Sequence, residues 1–425
     1  MQRQLLALCL LCAATAGCSN PSVLNVPYTA QRAVVERGKP AHFFHVLHIF
    51  KDGNDGAEPY AALLLKDGVL YGTSYRGGDQ NDGGTVYKVT PSGGYSIIHR
   101  FVRRAPFGQR ANPDGGLVSD SAGNLYGTTL EGGPLHKGTV YEVHKGGRAT
   151  TLYTFTGGSD GEFPYATLLR DGSGNLYGTT QAGGNTALCE GGGCGVVFKI
   201  DTSNRESVIY AFKGGSADGN DPYGGVVRDR QGNFYGTTIG GGTSDCVGEG
   251  CGIVYKLDPN GQETILHRFT NGADGGHPGD TLLQNSSGEL YGTADSGGPQ
   301  DAGLVFKIDK TGSETVLYNF TGGPDGGGPF GGLTQDAAGN FFGTTEFGGN
   351  TWCQSGCGTV FELDSSGRET VLHSFTGKKD GAYPLAGVTV DSAGNLFGTA
   401  PQGGNRLCAN GLGCGVAFKL SSTRH

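Results

Sequence analysis

The sequence predicts an all-β protein, a seven-bladed β-propeller with four antiparallel strands per blade and the last blade closed by the N-terminal strand. Three observations predict it. The phrase GNLYGTT at 123–129 returns letter for letter at 174–180, and in variants at 68–74, 232–238, 288–294, 339–345 and 394–400. From Gly72 to Gly398 the seven copies stand about 54 residues apart, a period in the range of propeller blades and too long for one coil of a β-helix. Each copy sits among the same four short apolar runs, rich in β-branched and aromatic residues and bounded by Gly, Asp, Asn or Pro.

Repeat 3 shows the four runs: YATLL (165–169), NLYGTTQ (175–181), GVVFKI (195–200) and SVIYAF (207–212), here strands A, B, C and D. The A–B turn DGSGN and the C–D turn DTSNR suit hairpins, because Asp, Asn and Gly tolerate left-handed backbone angles. The last repeat stops after its strand C, GVAFKL at 415–420. An orphan strand D, HVLHIF at 45–50, matches TVLHSF at 370–375, so the N-terminal strand is expected to complete blade seven. Closure of this kind protects the edges that an open fan of sheets leaves bare.

A catalytic residue would normally occur once, so a phrase shared by seven repeats reads as blade architecture. In GNLYGTT the Gly and Asn belong to the A–B turn. Leu and Tyr are expected to point to opposite faces of the blade, and the inner Gly to allow close approach of an adjacent strand or blade. The strand D phenylalanines, Phe50 to Phe375, receive the same reading. Two residues before each stands His or Tyr: His48, His99, Tyr153, Tyr210, His267, Tyr318 and His373. A His that Tyr can replace reads as a flat packing group rather than a ligand.

The mild net charge of −8, with no basic stripe, argues against nucleic acid as a partner. Residues 1–18 read as a secretory signal: Arg3, an apolar run over 5–14, then small residues. TAGC at 15–18 resembles a lipobox with Thr15 where that motif carries Leu. The expectation is lipidation at Cys18 and extracytoplasmic anchoring to the bacterial envelope, with plain secretion as the alternative. Residues 19–41 read as a flexible tether and 42–425 as a single propeller. Beyond the signal, eight cysteines form four close pairs: Cys189 and Cys194, Cys246 and Cys251, Cys353 and Cys357, Cys408 and Cys414. An even count in tight pairs reads as disulfides, with zinc the weaker rival because no pair has a second pair or a His at finger spacing.

The recurring phrase, extended as GNLYGTT…GG…GTVYKL…G…ETVLY.F.GG.DG..P over roughly 45–420, is similar to the GloVer-type tandem repeat of bacterial exported proteins. That resemblance implies an extracytoplasmic propeller, attached to the cell by varied means, with no chemistry assignable to individual residues.

Strand A is expected innermost, since its centre carries small residues such as Gly224 and Gly225. The D–A and B–C loops then share one face. The D–A loop carries D-G-x-x-P in six repeats, giving Asp55, Asp160, Asp218, Asp274, Asp325 and Asp380 as candidate ligand-binding residues. The plainer reading is that Asp-Gly makes a turn and Pro begins strand A. Repeat 2 departs from the pattern: Gln109 replaces the Asp, and Arg103, Arg104 and Arg110 join the candidates. Trp352, the single Trp, stands beside Cys353 and either stacks on a sugar or caps its loop. No zinc-protease helix, Walker A sequence, nucleophile elbow or calcium loop is present in the sequence. The expectation is a monomeric binding or scaffold module for a glycan or protein ligand at the loop face, without metal or cofactor, touching membrane only through a lipid anchor. The alternative is a propeller lyase or hydrolase using carboxylates at the channel mouth.

Overall fold

The computed structural model describes residues 42–79, 82–101, 111–246, 249–405, 408 and 411–422. Cys18, the expected signal and tether, and Arg103, Arg104 and Arg110 lie outside the described residues.

Seven four-stranded antiparallel sheets follow one another along the chain, each in the order A–B–C–D. Blade three, for example, pairs Leu169–Arg170, Leu176–Thr180, Val196–Ile200 and Glu206–Ala211. Blade seven is built from Thr389–Val390, Leu396–Ala400 and Val416–Ser422, and its fourth strand is His42–Ile49. The shared last blade therefore stands as the orphan strand D predicted.

Strand A is shorter and later than expected. In blade three only Leu169 and Arg170 join the ladder, while Tyr165, Ala166 and Thr167 do not pair with strand B. The cause is crowding. A Cβ on Gly115 would meet the Ala166 carbonyl at 2.7 Å, and one on Gly331 would meet the Ala386 backbone at 2.5 Å. The small residues lie where the inner segments of neighbouring blades converge, and their backbone groups bond to the neighbouring blade instead.

Each letter of GNLYGTT has a physical task. In blade two the Asn124 amide N–H and side chain both donate to Asp120, at 2.8 Å each, closing the A–B turn. Leu125 packs against Val86 and Leu64 of blade one, and Tyr126 faces Leu168 and Leu176 of blade three. The Tyr126 hydroxyl returns to Asp120 at 3.1 Å. Gly127 stands directly opposite Tyr141 of strand C, and a Cβ there would meet the Tyr141 hydroxyl oxygen at 2.6 Å. The inner Gly thus makes room for an aromatic ring of its own blade, not for the backbone of another strand or blade. The ring alternates between Tyr87, Tyr141 and Tyr255 and Phe198, Phe306, Phe361 and Phe418 around the propeller.

The first Thr ties blades together. Thr73, Thr128, Thr179, Thr237, Thr293, Thr344 and Thr399 each donate to an inner-segment carbonyl of the next blade, at 2.9 to 3.4 Å. The last of these runs from Thr399 to Ala61 and closes the ring. The strand D phenylalanines do the same with apolar surface. Each packs edge-on against the strand C ring of the following blade, with centroids 4.9 to 5.4 Å apart. Edge-to-face pairs add to the area they bury. A β-bulge recurs between strands C and D in every blade, for example between Val197 and Phe198. It re-aims the end of strand D toward the D–A loop.

Candidate functional site at the loop-face mouth

The D–A and B–C loops share one face and are stitched together there, as by the bridges Glu162 to Ala182 and Ala382 to Gln402. The six D-G-x-x-P aspartates have local partners on this face. Each accepts a backbone N–H at the end of strand D, such as Thr156 N on Asp160 at 2.8 Å. Each also meets the His or Tyr slot of its own strand D. Tyr153, Tyr210 and Tyr318 donate to Asp160, Asp218 and Asp325 at 2.9, 2.9 and 3.0 Å. His48, His267 and His373 stand 3.0, 3.4 and 3.3 Å from Asp55, Asp274 and Asp380. His and Tyr interchange because each offers a flat ring to the following Phe and a polar hydrogen to the Asp. His99, in the repeat without the Asp, bonds the Gly147 carbonyl instead at 3.0 Å.

A second carboxyl reaches four of these pairs from the following blade: Glu206, Glu263, Glu314 and, beside Tyr318, Glu369. Desolvation first, and then a neighbouring Asp, raise Glu206, Glu263 and Glu314 to about 7; the neighbours are Asp160, Asp218 and Asp274. Where the following blade carries an aromatic residue at this position, it stacks on a His. Tyr95 lies 3.6 Å from His48 and Phe44 lies 3.8 Å from His373. These carboxyls belong to the seams between blades.

Trp352 is 69% exposed, and Lys378 Nζ sits 3.5 Å above its ring. The four disulfides join Cys189 to Cys194, Cys246 to Cys251, Cys353 to Cys357 and Cys408 to Cys414. Each lies in a B–C loop, but its influence crosses to the next blade. A Cβ on Gly214 would meet Cys189 Sγ at 2.7 Å, and one on Gly377 would meet Cys353 Sγ at 2.8 Å.

The residues on either side of the D–A proline form a different site, one that the sequence reading did not single out. Before the proline stand Glu58, Asn112, Phe163, Asp221, His277, Gly328 and Tyr383, all at φ between 51° and 60°. Non-glycine residues adopt this region only when their surroundings over-determine it. Here the N–H of each donates into the preceding blade, to Cys414, Gly83, Lys137, Cys194, Cys251, Ala302 and Cys357 respectively, at 2.8 to 3.1 Å. Each proline ring then packs on the glycine that opens strand C of that blade, down to Pro59 on Gly415.

After the proline stand Tyr60, Asp114, Tyr165, Tyr223, Gly279, Phe330 and Leu385. Tyr165 and Tyr223 have ring centroids 4.0 Å apart. Phe330 of blade six reaches over Gly279 of blade five to meet Tyr223 of blade four at 5.1 Å. This reach across three blades places the cluster at the mouth of the central channel.

The mouth is acidic and short of hydrogen-bond donors. Asp114 is 5% exposed; burial, opposed by a hydrogen bond from Tyr165, raises it to about 7, and its Oδ2 has no hydrogen-bond partner. Asn112 is 1% exposed, and its Oδ1 is likewise unpartnered while its amide donates to the Tyr75 carbonyl. Burial raises Asp221 and Asp295 to about 7, and each keeps one oxygen without a hydrogen bond. His277 Nδ1 is 3.7 Å from Asp295 and bonds Ser296 at 2.8 Å. Arg76 pairs with Glu58 at 3.4 Å. A buried polar atom without a partner is uncommon in proteins and calls for an explanation.

Repetition itself hid these residues. Letters shared by the repeats stand out in the sequence, whereas the mouth residues change from blade to blade. The unvarying proline between them was the available marker: the residue before it differs in every repeat, and five residue types share the position after it.

The Gloeobacter/Verrucomicrobia repeat model matches residues 30–249 and again 246–425. No curated protein matches the sequence. Among solved structures, the extracellular domain of a proposed one-component system, BT4673 from B. thetaiotaomicron, is similar with a TM-score of 0.52 and 12% identity over 89% of this chain. This chain spans 40% of the length of that one. The gluconolactonase XC5397 from Xanthomonas campestris gives a TM-score of 0.42 and 15% identity, covering 71% of this chain and 83% of its own. At 12% identity the likeness to the first of these shows the fold alone. The two repeat matches together span almost the whole chain, which belongs to the Gloeobacter/Verrucomicrobia repeat family.

Proposed function

We propose that this protein is an extracytoplasmic binding module that recognises a polyhydroxylated ligand, a glycan, at the loop-face mouth. The carrying observation is the set of unpartnered acceptor oxygens on Asn112, Asp114 and Asp221, set among Tyr60, Tyr165 and Tyr223. Acceptors beside aromatic rings suit sugars, which present hydroxyl donors at their edges and C–H surfaces on their faces. Four disulfides support an oxidising compartment. The test is a glycan array probed with purified residues 19–425, followed by titration calorimetry on any hit. Binding without turnover, weakened by Asp114→Asn, is the expected result. No binding to any glycan would overturn this reading.

A second reading rests on one observation. Asp114, Asp221 and Asp295 all sit near 7, where a carboxyl serves as a general acid. Turnover of a bound glycan, lost in Asp114→Asn, would establish it in place of simple binding.

Anchoring through Cys18 is the companion proposal. Detergent partitioning of the full chain, released to the aqueous phase by Cys18→Ser, is the expected result. Unchanged partitioning would remove the anchor.

A further inference from the structure

Four oxygens at the mouth lack a hydrogen bond, Asp114 Oδ2, Asn112 Oδ1, Asp221 Oδ1 and Asp295 Oδ1, while the one nitrogen beside them without a hydrogen bond, Arg76 Nε, faces Glu58 at 3.4 Å. A neutral sugar hydroxyl both donates and accepts, so a site built for neutral sugars needs donors as well as acceptors. The donors near this mouth are already engaged. Gln181 Nε2 donates to Asp221 at 3.3 Å, Arg76 pairs with Glu58, and the Asn112 amide donates to Tyr75. An ammonium group has three donors and no acceptor, and matches what is left over.

Charge points the same way. Glu58 and Asp114 act on one another on one side of the mouth, and Asp295 and Glu346 do so on the other. A bare metal ion is a poor match, because no group of three or more carboxylate, His or Cys side chains converges on one point among the described residues. Hard cations need that convergence. Carboxyls delivered by separate blades instead suit positive charges spaced along a ligand, with Tyr60, Tyr165 and Tyr223 available for cation–π contact and for sugar faces.

We propose that the mouth binds glycans bearing free ammonium groups, that is, amino sugars without N-acetyl groups. This inference rests on the glycan reading above and narrows it. Binding then draws protons off the raised carboxyls, so affinity rises as they ionise between about pH 6 and 8, up to the point where the sugar amine itself loses its proton.

The test is calorimetry of the mature chain with glucosamine oligomers, against N-acetylglucosamine oligomers of equal length and oligolysine of equal charge. Preference for the deacetylated oligomer by about tenfold or more is expected, the scale of one charge-assisted hydrogen bond. Asp114→Asn and Asp221→Asn should each erode that preference while thermal unfolding shows the ring still folded. Equal or tighter binding of the acetylated oligomer overturns the proposal. So does oligolysine binding as well as the glycan, which would make the site a basic-peptide site. Failure of all three probes while the array yields a neutral glycan overturns this inference alone; an empty array overturns the parent reading with it.

Discussion

The backbone N–H of Asp221 donates to the carbonyl of Cys194 at 3.1 Å, so a mouth carboxyl hangs from the end of a disulfide in the preceding blade. The same bond joins His277 to Cys251, Tyr383 to Cys357 and Glu58 to Cys414. All four disulfides therefore hold residues that stand before a mouth proline.

Reduction should accordingly loosen the mouth and leave the ring intact. A disulfide closing so short a loop contributes about 2 kcal/mol in the chain-entropy model, while Phe–aromatic pairs and Thr hydroxyls hold every seam, including those without a disulfide. Hydrogen exchange after reduction should accelerate at Asp221, His277, Tyr383 and Glu58 and stay slow in strands B and C. Global unfolding on reduction would show that the loops carry the fold.

Ring closure can be probed at one hydroxyl. Thr399→Val removes the donor that reaches Ala61 and strands a buried carbonyl, a loss of about 1–3 kcal/mol. Chemical denaturation should show lower stability with unchanged cooperativity. Deleting residues 42–50 removes the whole fourth strand of blade seven, and should cost far more. A truncated chain as stable as the parent would contradict the shared blade.

The glycine of the repeated phrase offers a paired test. In Gly127→Ala the new methyl collides with the Tyr141 ring, an overpacking loss of about 1–3 kcal/mol. Conversely, the Tyr87, Tyr141 and Tyr255 hydroxyls are buried without partners, and four other blades carry Phe at this position. Tyr141→Phe should therefore be neutral or raise the melting temperature. A marked fall would mean that the hydroxyl has a partner.

Stability should decline as pH rises from mild acid toward neutrality. Glu206, Glu263 and Glu314 at the seams and Asp114, Asp221 and Asp295 at the mouth are all raised to about 7 in the folded chain. Their folded values exceed the unfolded ones, so their stabilisation is complete below about pH 4 and is lost progressively as pH climbs from there to about 7. Desolvation pushes the turn aspartates Asp120, Asp171 and Asp229 upward, but hydrogen bonds outweigh it and lower them on balance, so they remove stability at the acid end. Melting temperatures should therefore peak near about pH 4 and fall between about pH 4 and 7. Glu206→Gln together with Glu263→Gln should flatten that fall. An unchanged pH profile in the double variant would remove the seam carboxyls from the account.

Blade number, strand order, the four disulfide pairs and the borrowed strand of blade seven were all legible from the chain alone. Each is written in short-range pattern: alternation along a strand, a turn residue at a fixed offset, a cysteine beside its mate. Repetition multiplies such signals sevenfold. The inner limits of strand A were not legible, because Tyr165, Ala166 and Thr167 have strand-like composition and lose their ladder only where neighbouring blades crowd them. Nor was the division of labour among the carboxyls. Asp160 and Asp114 look alike as letters; one is bonded to Tyr153 and Thr156 within its own hairpin, and the other is carried to the mouth with an oxygen left bare. That difference depends on closing seven blades into a ring, which brings residues far apart in sequence around one axis.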